Sequence, residues 1–438
     1  ELCAAPLPAL PSVPELTQST RARLRTELLA RGADGVAVLW GGVVTAREDT
    51  DTEYAFRQES NMLYLSQVDE PDFALVVDVA AAHAVLVAPE RDEHYALWNG
   101  DVLTPEELQA KYGVDDVVVG DAAFEKELLR LVGSRTVYVL PAYADRLDGA
   151  KFPRVDAAAL RPALHAARLV KTDAELAHLR AAASVSLAAH ERLIAGAIGA
   201  GDHEYDVAAK FRFWVGSCGV RHLAYQSICG AGRHAAILHY TANDARIAAG
   251  DLVLVDAGAE VRGYATDITR TWREGATAMS PAQRGVYELV RRVQAEFEAE
   301  LRPGASFDNL TRAAMRTTTA GLNALGYLRG ELDEQLRANV GGLFLPHGIG
   351  HSVGIDVHDP PVFIGTLRAG HVLTVEPGVY FNKAFLEIGL KNPRLRPFLV
   401  EDKIRAAIDT VGGVRLEDVV RITDDGYENL TPHSPIPE

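Results

Sequence analysis

Residues 250–272, GDLVLVDAGAEVRGYATDITRTW, contain two aliphatic, strand-like runs that each hold an aspartate. Asp256 and Asp267 lie almost equidistant from a turn at Val261–Arg262, so an antiparallel hairpin would bring the two carboxylates near each other. Buried like charges at such a distance need a shared proton or a cation between them. Unless both carboxylates are solvated beside the turn, the segment predicts a pair that shares a proton or binds a metal.

Two further acids lie in strand-like runs downstream. Residues 371–381, HVLTVEPGVYF, contain Glu376, and residues 412–423, GGVRLEDVVRIT, contain Glu417. Four such carboxylates and one imidazole suit two divalent ions such as Mn²⁺, Co²⁺ or Zn²⁺, because four negative charges balance the charge of the ion pair. The four acids together therefore favour a dinuclear metal site.

The stretch 345–360, LPHGIGHSVGIDVHDP, supplies candidate imidazoles. His347 and His351 stand four residues apart, as the two ligands of a helical zinc motif do. Three glycines within residues 348–354 argue against a helix, since each costs roughly 1 kcal/mol in a helix interior. The stretch is therefore predicted to be extended or turning chain, in which His351 and His358 project differently.

The first part of the chain alternates helical and strand-like pieces, whereas the second part mixes them in irregular order. Strands are predicted over 34–42, 72–80, 83–89 and 135–141, and helices over 20–32, 122–132, 203–219, 280–301 and 306–326. Thr172 or Asp173 can cap a further helix that runs to about Gly199. These elements predict an α/β two-domain protein, with an N-terminal α/β lobe over residues 1–165 and a C-terminal α+β domain over residues 166–438.

Five ordered motifs add a likeness to a known family. They are LHYTAND (238–244), DAGAEVRGYATDITRT (256–271), PHGIGHSVGIDVHD (346–359), VEPGVYF (375–381) and GGVRLED (412–418). Together they resemble the pita-bread metallopeptidases, in the branch of prolidase and aminopeptidase P. The segment FRQESNMLYLSQVDEPDFALVV (56–77) resembles the N-terminal lobe of that branch. The resemblance implies a creatinase-like α/β lobe followed by a pita-bread catalytic domain.

The same resemblance implies a hydroxide held between two divalent metals, with Mn²⁺ favoured by the carboxylate-rich shell and Co²⁺ or Zn²⁺ as alternatives. Asp256 would bind one metal, and His351 and Glu376 would bind the other. Asp267 and Glu417 would bridge the two. Glu376 also matches the glutamate that serves the family as general base and proton shuttle.

Substrate contacts are implied in the same way. His358 would hydrogen-bond the substrate near the scissile bond, and His239 would line the proline side of the pocket. Arg415 would orient a bridging carboxylate and the substrate, and Tyr225 would line the pocket. In the simpler interpretation, His239 is a core histidine and His347 is a structural hydrogen-bonding residue behind the site.

The branch contains dipeptidases and aminopeptidases, which differ in how they bind the residue after the scissile bond. An Xaa-Pro dipeptidase holds the free carboxylate of proline with a buried cation, whereas an aminopeptidase leaves that exit open. The long segment between Phe381 and Val411 resembles the prolidases and favours a dipeptidase, with Xaa-Pro aminopeptidase as the alternative. Arg368, or one of the cations Lys391, Arg394 and Arg396, is expected to bind the carboxylate.

An alternative of another class is an inactive pita-bread module that binds protein partners. Such modules lose metal ligands, whereas Asp256, Asp267, His351, Glu376 and Glu417 are all usable ones. Phosphotriester hydrolysis is a chemically reasonable side activity of the same hydroxide.

Composition limits the partners and the location. With 60 acidic and 44 basic residues, the chain carries a net charge of −16, which argues against nucleic acid as a partner. No apolar run is long enough to cross a membrane. Three cysteines are too few for a disulfide framework and favour a reducing, cytoplasmic location, although the Ala- and Pro-rich start at Glu1 leaves a removed targeting segment open. The resemblance further implies a homodimer.

Overall fold

The computed structural model describes Cys3, residues 5–275, residues 278–360 and residues 364–432. The chain divides into two compact units. One unit comprises Ala9–Ala177, and the other comprises the described chain from His178 onward together with the described residues before Ala9. The sequence-based boundary after residue 165 therefore lies N-terminal to the division that the structure has.

The Ala9–Ala177 unit is built on a six-stranded mixed sheet in the order β4-β3-β2-β1-β5-β6. Its strands are β1 (Val36–Trp40), β2 (Ala74–Asp78), β3 (His83–Ala88), β4 (Asp116–Val119), β5 (Val137–Tyr138) and β6 (Val155–Asp156). Its helices are α1 (Val13–Leu29), α2 (Ser60–Ser66), α3 (Glu93–Asn99), α4 (Pro105–Tyr112), α5 (Asp121–Val132) and α6 (Leu160–Leu169). β1 to β3 are apolar runs buried along most of their length, as expected of strands covered on both faces.

The four predicted strands of this unit are confirmed as β1, β2, β3 and β5, and the predicted helix over 122–132 is confirmed as α5. α1 begins earlier than the predicted helix over 20–32, because the Ser12 hydroxyl accepts a hydrogen bond from the Glu15 N–H at 3.3 Å and Pro14 occupies the first turn. β4 escaped prediction because its side chains are partly or fully exposed and form no buried run.

The second unit includes α7 (Asp173–Arg192) from His178 onward, because the division falls within this helix. We call it the catalytic unit after the pita-bread catalytic domain that the sequence predicts there. Its other helices are α8 (Glu204–Ser217), α9 (Pro281–Glu298), α10 (Phe307–Ala324), α11 (Leu332–Ala338), α12 (Lys383–Lys391) and α13 (Glu401–Thr410). Thr172 caps α7 as predicted, since its hydroxyl accepts from the Glu175 N–H at 3.3 Å while the Glu175 carboxylate accepts from the Thr172 N–H at 2.7 Å. None of the helices in the described parts of the chain combines the length and apolarity needed to span a membrane.

Short antiparallel ladders form the sheet part of the catalytic unit. Its strands are β7 (His222–Leu223), β8 (Ile228–Ala231), β9 (Leu252–Asp256), β10 (Ala259–Val261), β11 (Tyr264–Ala265), β12 (Thr269–Arg273), β13 (Val372–Val375), β14 (Gly378–Tyr380), β15 (Gly413–Arg415), β16 (Asp418–Ile422) and β17 (Tyr427–Asn429). They pair in the orders β12-β9-β8, β11-β10-β7, β13-β16-β17 and β14-β15. A buried apolar cluster joins these ladders to α9 and α10 through residues such as Leu254, Leu373, Val290 and Leu322.

The hairpin between β10 and β11 turns at Arg262–Gly263, where φ is 50° and 86°, and not at the predicted Val261–Arg262. A two-residue turn of this kind needs positive φ at both positions, and glycine adopts positive φ without a steric penalty. The turn therefore includes Gly263, and its shift by one residue moves the cross-strand partner of Asp256 by two residues, from the predicted Asp267 to Thr269.

A disulfide joins Cys3 to Cys218 within the catalytic unit, with the two Cα atoms 4.8 Å apart. One disulfide is not a disulfide framework, but it removes the reason for expecting a reducing compartment. The two residues are 215 positions apart in sequence, so their spacing gave no sign that they meet in space. Cys229 is buried and free. The cysteine content consequently no longer supports a reducing compartment.

Candidate active site

Four acidic residues lie at or beside strand ends of the catalytic unit. Asp256 is the last residue of β9, and Asp267 lies just before β12. Glu376 directly follows β13, and Glu417 lies between β15 and β16. The ladders connect them, because Asp256 pairs with Thr269 and Thr269 is bridged to Glu417 through the backbone. Backbone pairing thus brings acids from distant parts of the sequence together.

Asp256 and Asp267 approach each other as predicted, although the register differs from the predicted one. Because the hairpin turn is shifted, Asp256 lies opposite Thr269 and Asp267 is its diagonal neighbour. The hydroxyl of Tyr225 lies 2.5 Å from one oxygen of each aspartate. One phenol has a single proton to donate, so the second short contact requires a proton on a carboxyl group or a cation beside it.

Asp256, Asp267 and Glu417 form what we call the carboxylate cluster. Their exposed fractions are 8%, 5% and 1%, and one oxygen of each lies within 4.8 Å of those of the other two. Burial raises the pKa of Asp267, and the charge of Asp256 raises it further. Burial and the neighbouring carboxylates also raise the pKa of Glu417 well above its ordinary value. The cluster therefore resists full ionisation unless a cation joins it.

His351 faces this cluster with one ring nitrogen. Its Nε2 atom lies 3.3 Å from Asp267 Oδ2 and 3.4 Å from Glu376 Oε1. Its Nδ1 atom lies 3.1 Å from the carbonyl oxygen of Ser352, a partner that leaves Nε2 directed at the acids. Burial alone would lower the pKa of His351, but Asp267 and Glu376 raise it to about 9. Burial likewise raises the pKa of Glu376 to about 7.

Arg415 is held by the protein at each of its three guanidinium nitrogens. Nη2 donates to Asp256 Oδ2 at 2.6 Å, Nε donates to the Thr269 hydroxyl at 2.9 Å, and Nη1 donates to the Tyr380 hydroxyl at 3.1 Å. The Thr269 hydroxyl in turn donates to Glu417 Oε2 at 2.6 Å. Arg415 therefore donates to one carboxylate of the cluster, and it reaches Glu417 both through Thr269 and by a longer ion pair at 4.0 Å. Sequence reasoning missed Thr269 and Tyr380, although both belong to the family-like motifs.

A cavity of about 320 Å³ opens above these groups. It is lined by the four acids, Arg415 and four histidines, namely His239, His347, His351 and His358. His239 and His358 are exposed, and we call them the rim histidines. The ring of His358 lies 4.2 Å from that of His351, centroid to centroid, and partial desolvation of its ring by the cavity wall, together with the neighbouring His351, lowers its pKa. The alternative that His239 is a core histidine is therefore wrong.

His347 also lines the cavity, so the interpretation that places it behind the site is wrong. Its Nε2 atom is 2.8 Å from the Tyr380 hydroxyl, and its Nδ1 atom is 2.7 Å from the Gly348 carbonyl oxygen. The same Nδ1 atom lies 3.8 Å from Glu376 Oε2. Burial lowers the pKa of His347 to about 4, so its imidazole is neutral at physiological pH.

The segment that carries His239 is held by one buried carboxylate. Glu204, at the start of α8, is fully buried. It accepts hydrogen bonds from the Ala231 N–H at 2.8 Å, the Tyr240 hydroxyl at 2.7 Å and the Ala245 N–H at 2.9 Å. Its Oε1 atom also lies 3.1 Å from His234 Nδ1. Glu204 therefore fixes both ends of the segment, and sequence reasoning gave no signal for it.

Other predicted substrate residues occupy different places. Tyr225 contacts the aspartates, but it is not among the described residues that line the cavity. Arg368 is exposed and is likewise not among them, and the same holds for Lys391, Arg394 and Arg396. None of these four cations therefore lies on the described wall of the cavity, and their contact with a substrate carboxylate stays a prediction. Sequence position alone could not show on which side of a loop or helix their long side chains leave the chain.

The donor set fits divalent cations. Possible ligand atoms form three groups, and the atoms within each group lie within 4.8 Å of one another. The first group is Asp256, Asp267 and Glu417, the second is His351, Glu376 and Glu417, and the third is Asp267, His351 and His358. Asp267, Glu417 and His351 each belong to two groups, and of these only the two carboxylates have two oxygens with which to hold two ions. Hard carboxylate oxygens with one imidazole suit Mn²⁺, Co²⁺ and Zn²⁺, and such ions would relieve the repulsion that raises the pKa values of Asp267 and Glu417.

Comparison with known proteins agrees with this chemistry. The profile of Metallopeptidase family M24 matches residues 177–424, and that of the aminopeptidase P N-terminal domain matches residues 18–139. A Probable Xaa-Pro aminopeptidase of Colletotrichum graminicola is 33% identical over 492 aligned positions, which cover 99% of this chain and 93% of the relative.

Solved structures match over nearly the whole chain. Proline aminopeptidase P II from Yersinia pestis has a TM-score of 0.80 at 33% identity and covers 94% of this chain and 96% of its own. Escherichia coli aminopeptidase P with the inhibitor Pro-Leu has a TM-score of 0.81 at 30% identity, covering 97% and 95%. The same bacterial enzyme is matched in a zinc-substituted form with product and in variants with single histidines replaced by alanine. The predicted two-domain fold is confirmed, and the chain belongs to metallopeptidase family M24, in its aminopeptidase P branch.

Proposed function

We propose that the protein is a metal-dependent Xaa-Pro aminopeptidase, which hydrolyses the bond before proline at the N-terminus of peptides longer than two residues. One observation supports this choice over the predicted dipeptidase. Among the described residues that line the cavity, Arg415 is the one guanidinium or ammonium group, and Asp256, Thr269 and Tyr380 occupy its nitrogens. The free carboxylate of a bound Xaa-Pro dipeptide would therefore lack a cationic partner.

The relatives support the same choice. The matched fungal protein carries the name of an Xaa-Pro aminopeptidase, and the inhibitor named in the Escherichia coli structure begins with proline and continues past it. A peptide that continues past proline needs an open exit and has no carboxylate at that position. The length of the segment between Phe381 and Val411, which favoured the dipeptidase, is therefore the weaker indication.

We assign two divalent ions to the site, Mn²⁺ first because of the carboxylate-rich donor set, with Co²⁺ and Zn²⁺ as alternatives. Asp256 would hold one ion, and His351 and Glu376 would hold the other. Asp267 and Glu417 would each contact both ions. Bound ions of this kind lower the pKa of water and polarise the scissile carbonyl. The alternative of an inactive binding module is less well supported, because all five ligand positions converge on one cavity.

The chain's own residues supply proton transfer and orientation. Glu376, which lies on the cavity wall beside His351, is placed to accept a proton and return it to the leaving proline nitrogen. His358, on the rim, would donate a hydrogen bond to the oxygen of the scissile carbonyl. His239 would contact the proline side, and Arg415 would keep Asp256 and Thr269 in place. A homodimer remains our expectation for the assembly, which light scattering can test.

The proposal is tested with three peptides on Mn²⁺-loaded protein: Ala-Pro, Ala-Pro-Ala and N-acetyl-Ala-Pro-Ala. We expect kcat/KM for the tripeptide to exceed that for the dipeptide by about tenfold or more, since binding past proline adds contacts. The acetylated peptide should resist cleavage because it lacks a free amino terminus. Preferred cleavage of Ala-Pro would restore the dipeptidase, and absence of metal-dependent activity on every peptide would restore the binding module. Retained activity in His351→Ala would overturn the ligand assignment.

A further inference from the structure

A second cavity of about 530 Å³ lies in the catalytic unit, lined in part by Arg233, Ile237, Phe381, Lys383, Arg405 and Asp409. None of these residues belongs to the site described above. Two chain segments nevertheless connect the cavities. Ile237 lies two residues before the rim histidine His239, so their Cα atoms are at most about 7 Å apart. Phe381 directly follows Tyr380, whose hydroxyl contacts His347 and Arg415 in the active-site cavity.

The charge of this second cavity is opposite to that of the chain. The whole protein carries a net charge of −16, yet three basic side chains line the cavity beside the single carboxylate of Asp409. Arg405 is already paired with Glu387 at 2.5 Å and with Glu401 at 2.8 Å. Arg233 and Lys383 are exposed, and among the described residues neither side chain has a hydrogen-bond acceptor or a close ion pair. After Arg405, the more distant charge of Lys383 also lowers the pKa of Glu387. Two cations therefore remain available to a ligand.

We propose that this cavity binds the part of a peptide substrate that continues past proline, and that it prefers a carboxylate there. The inference rests on the proposed aminopeptidase function and adds a preference to it. An extended peptide advances about 3.3 to 3.6 Å per residue, so the second or third residue after proline reaches the level of Ile237. Ile237, which is 41% exposed, offers apolar contact to the aliphatic part of that residue, while Arg233 and Lys383 attract its charge.

Two kinds of carboxylate satisfy this chemistry, an acidic side chain and the C-terminus of a short peptide. C-terminally amidated Ala-Pro-Ala-Glu, Ala-Pro-Ala-Ala and Ala-Pro-Ala-Lys isolate the side chain, and Ala-Pro-Ala-Ala with a free C-terminus isolates the terminus. We expect kcat/KM for the amidated Glu peptide to exceed that for the Lys peptide by about three- to tenfold. The preference should shrink when NaCl is raised, because exposed charges are screened.

Substitution of the two cations tests whether they cause the preference for the Glu peptide. Arg233→Gln and Lys383→Gln should each reduce the ratio of Glu to Lys peptide cleavage, and the double variant should bring it close to one. Lys391→Gln is the matched control, because Lys391 is an exposed lysine at the other end of the same helix, α12. The ratio of Glu to Lys peptide cleavage by Lys391→Gln should equal that of the unmodified protein.

The outcomes separate the two proposals. If metal-loaded protein cleaves none of the four peptides, the proposed function fails. If it cleaves all four with equal kcat/KM, or if the double variant keeps the preference, the function stands and the carboxylate subsite is overturned. A preference shown only by the peptide with a free C-terminus would assign the cavity to terminal carboxylates, and one shown only by the Glu peptide would assign it to acidic side chains.

Discussion

The carboxylate cluster and the rim histidines face one cavity but stand in opposite environments. Asp256, Asp267 and Glu417 are at most 8% exposed and are held at strand ends by backbone ladders. His239 and His358 are exposed on irregular segments. The cluster is therefore assembled before any substrate arrives and is strained by its own charge, whereas the rim has little to bind until a peptide is present. The predictions below test this difference.

The largest effect is expected from Asp267→Asn. The substitution keeps the shape of the side chain but removes the charge of a residue that belongs to two groups of ligands. Loss of a residue that merely orients a metal ligand costs about 10- to 100-fold, so we expect kcat/KM on Ala-Pro-Ala to fall by more than about 100-fold. Metal content, measured by mass spectrometry, should fall with it.

In chelator-treated protein the same substitution should raise Tm, because it relieves repulsion within the cluster. Asp424→Asn, which removes an exposed carboxylate of the same unit, should change neither activity nor Tm. Full activity and metal content in Asp267→Asn would show that the cluster does not hold the metals.

The second prediction concerns pH. In metal-free protein Glu376 has a pKa raised from 4.5 to about 7 by burial, so the folded state binds more protons than the unfolded chain in that range and stability falls as pH rises through it. His351 has a pKa raised from 6.5 to about 9 by Asp267 and Glu376, against the effect of burial. The contribution of His351 to the stability of the folded state is complete below pH 6.5 and is lost as pH rises through about 9.

Both shifts destabilise the metal-free protein as pH rises, and bound cations remove their cause. The gain in Tm on adding Mn²⁺ should therefore be larger at about pH 8.5 than at about pH 5. Glu298 also has a pKa raised to about 7 by burial, but it is not among the ligand groups, so its effect cancels in the difference between loaded and metal-free protein. An equal or larger gain at about pH 5 would contradict the interpretation.

The same contrast explains what the sequence could predict. The cluster was predictable because its acids interrupt β-type runs, and strand pairing brings such acids together even when the exact turn position is predicted wrongly. The turn lies one residue later than predicted, at Arg262–Gly263, yet Asp256 and Asp267 both contact Tyr225. Family resemblance supplied His351, and the structure directs its Nε2 atom at the acids.

The surroundings of the cluster were less predictable. Tyr380 and Thr269 connect to Arg415 through side-chain hydrogen bonds, and such bonds leave no periodic pattern in a sequence. The exposed positions of Arg368 and Lys391 follow from the packing of loops and of α12, and the pairing of Cys3 with Cys218 follows from chain topology. Each of these depends on contacts between distant residues, which local pattern cannot report.

The smallest effect is expected at the rim, from Glu204→Gln. An amide cannot replace both accepting oxygens of Glu204, so the segment from Ala231 to Ala245 should lose part of its support. If Glu204 acts by positioning His239, KM for Ala-Pro-Ala should rise by about three- to tenfold with a smaller change in kcat. Metal content should not change, because the residue contacts no ligand group. Glu274→Gln, another buried carboxylate of the unit, provides the matched control.

A double-mutant cycle separates positioning from general support of the fold. In a His239→Ala background, adding Glu204→Gln should raise KM by less than about twofold, because the side chain that Glu204 positions is already absent. Additive effects would mean that Glu204 acts on the site by another route, and a loss of metal from Glu204→Gln would extend its influence to the cluster. Either result would show that the buried and the exposed side of the cavity are less independent than their environments indicate. Assays well below the Tm of each variant keep the comparison free of unfolding.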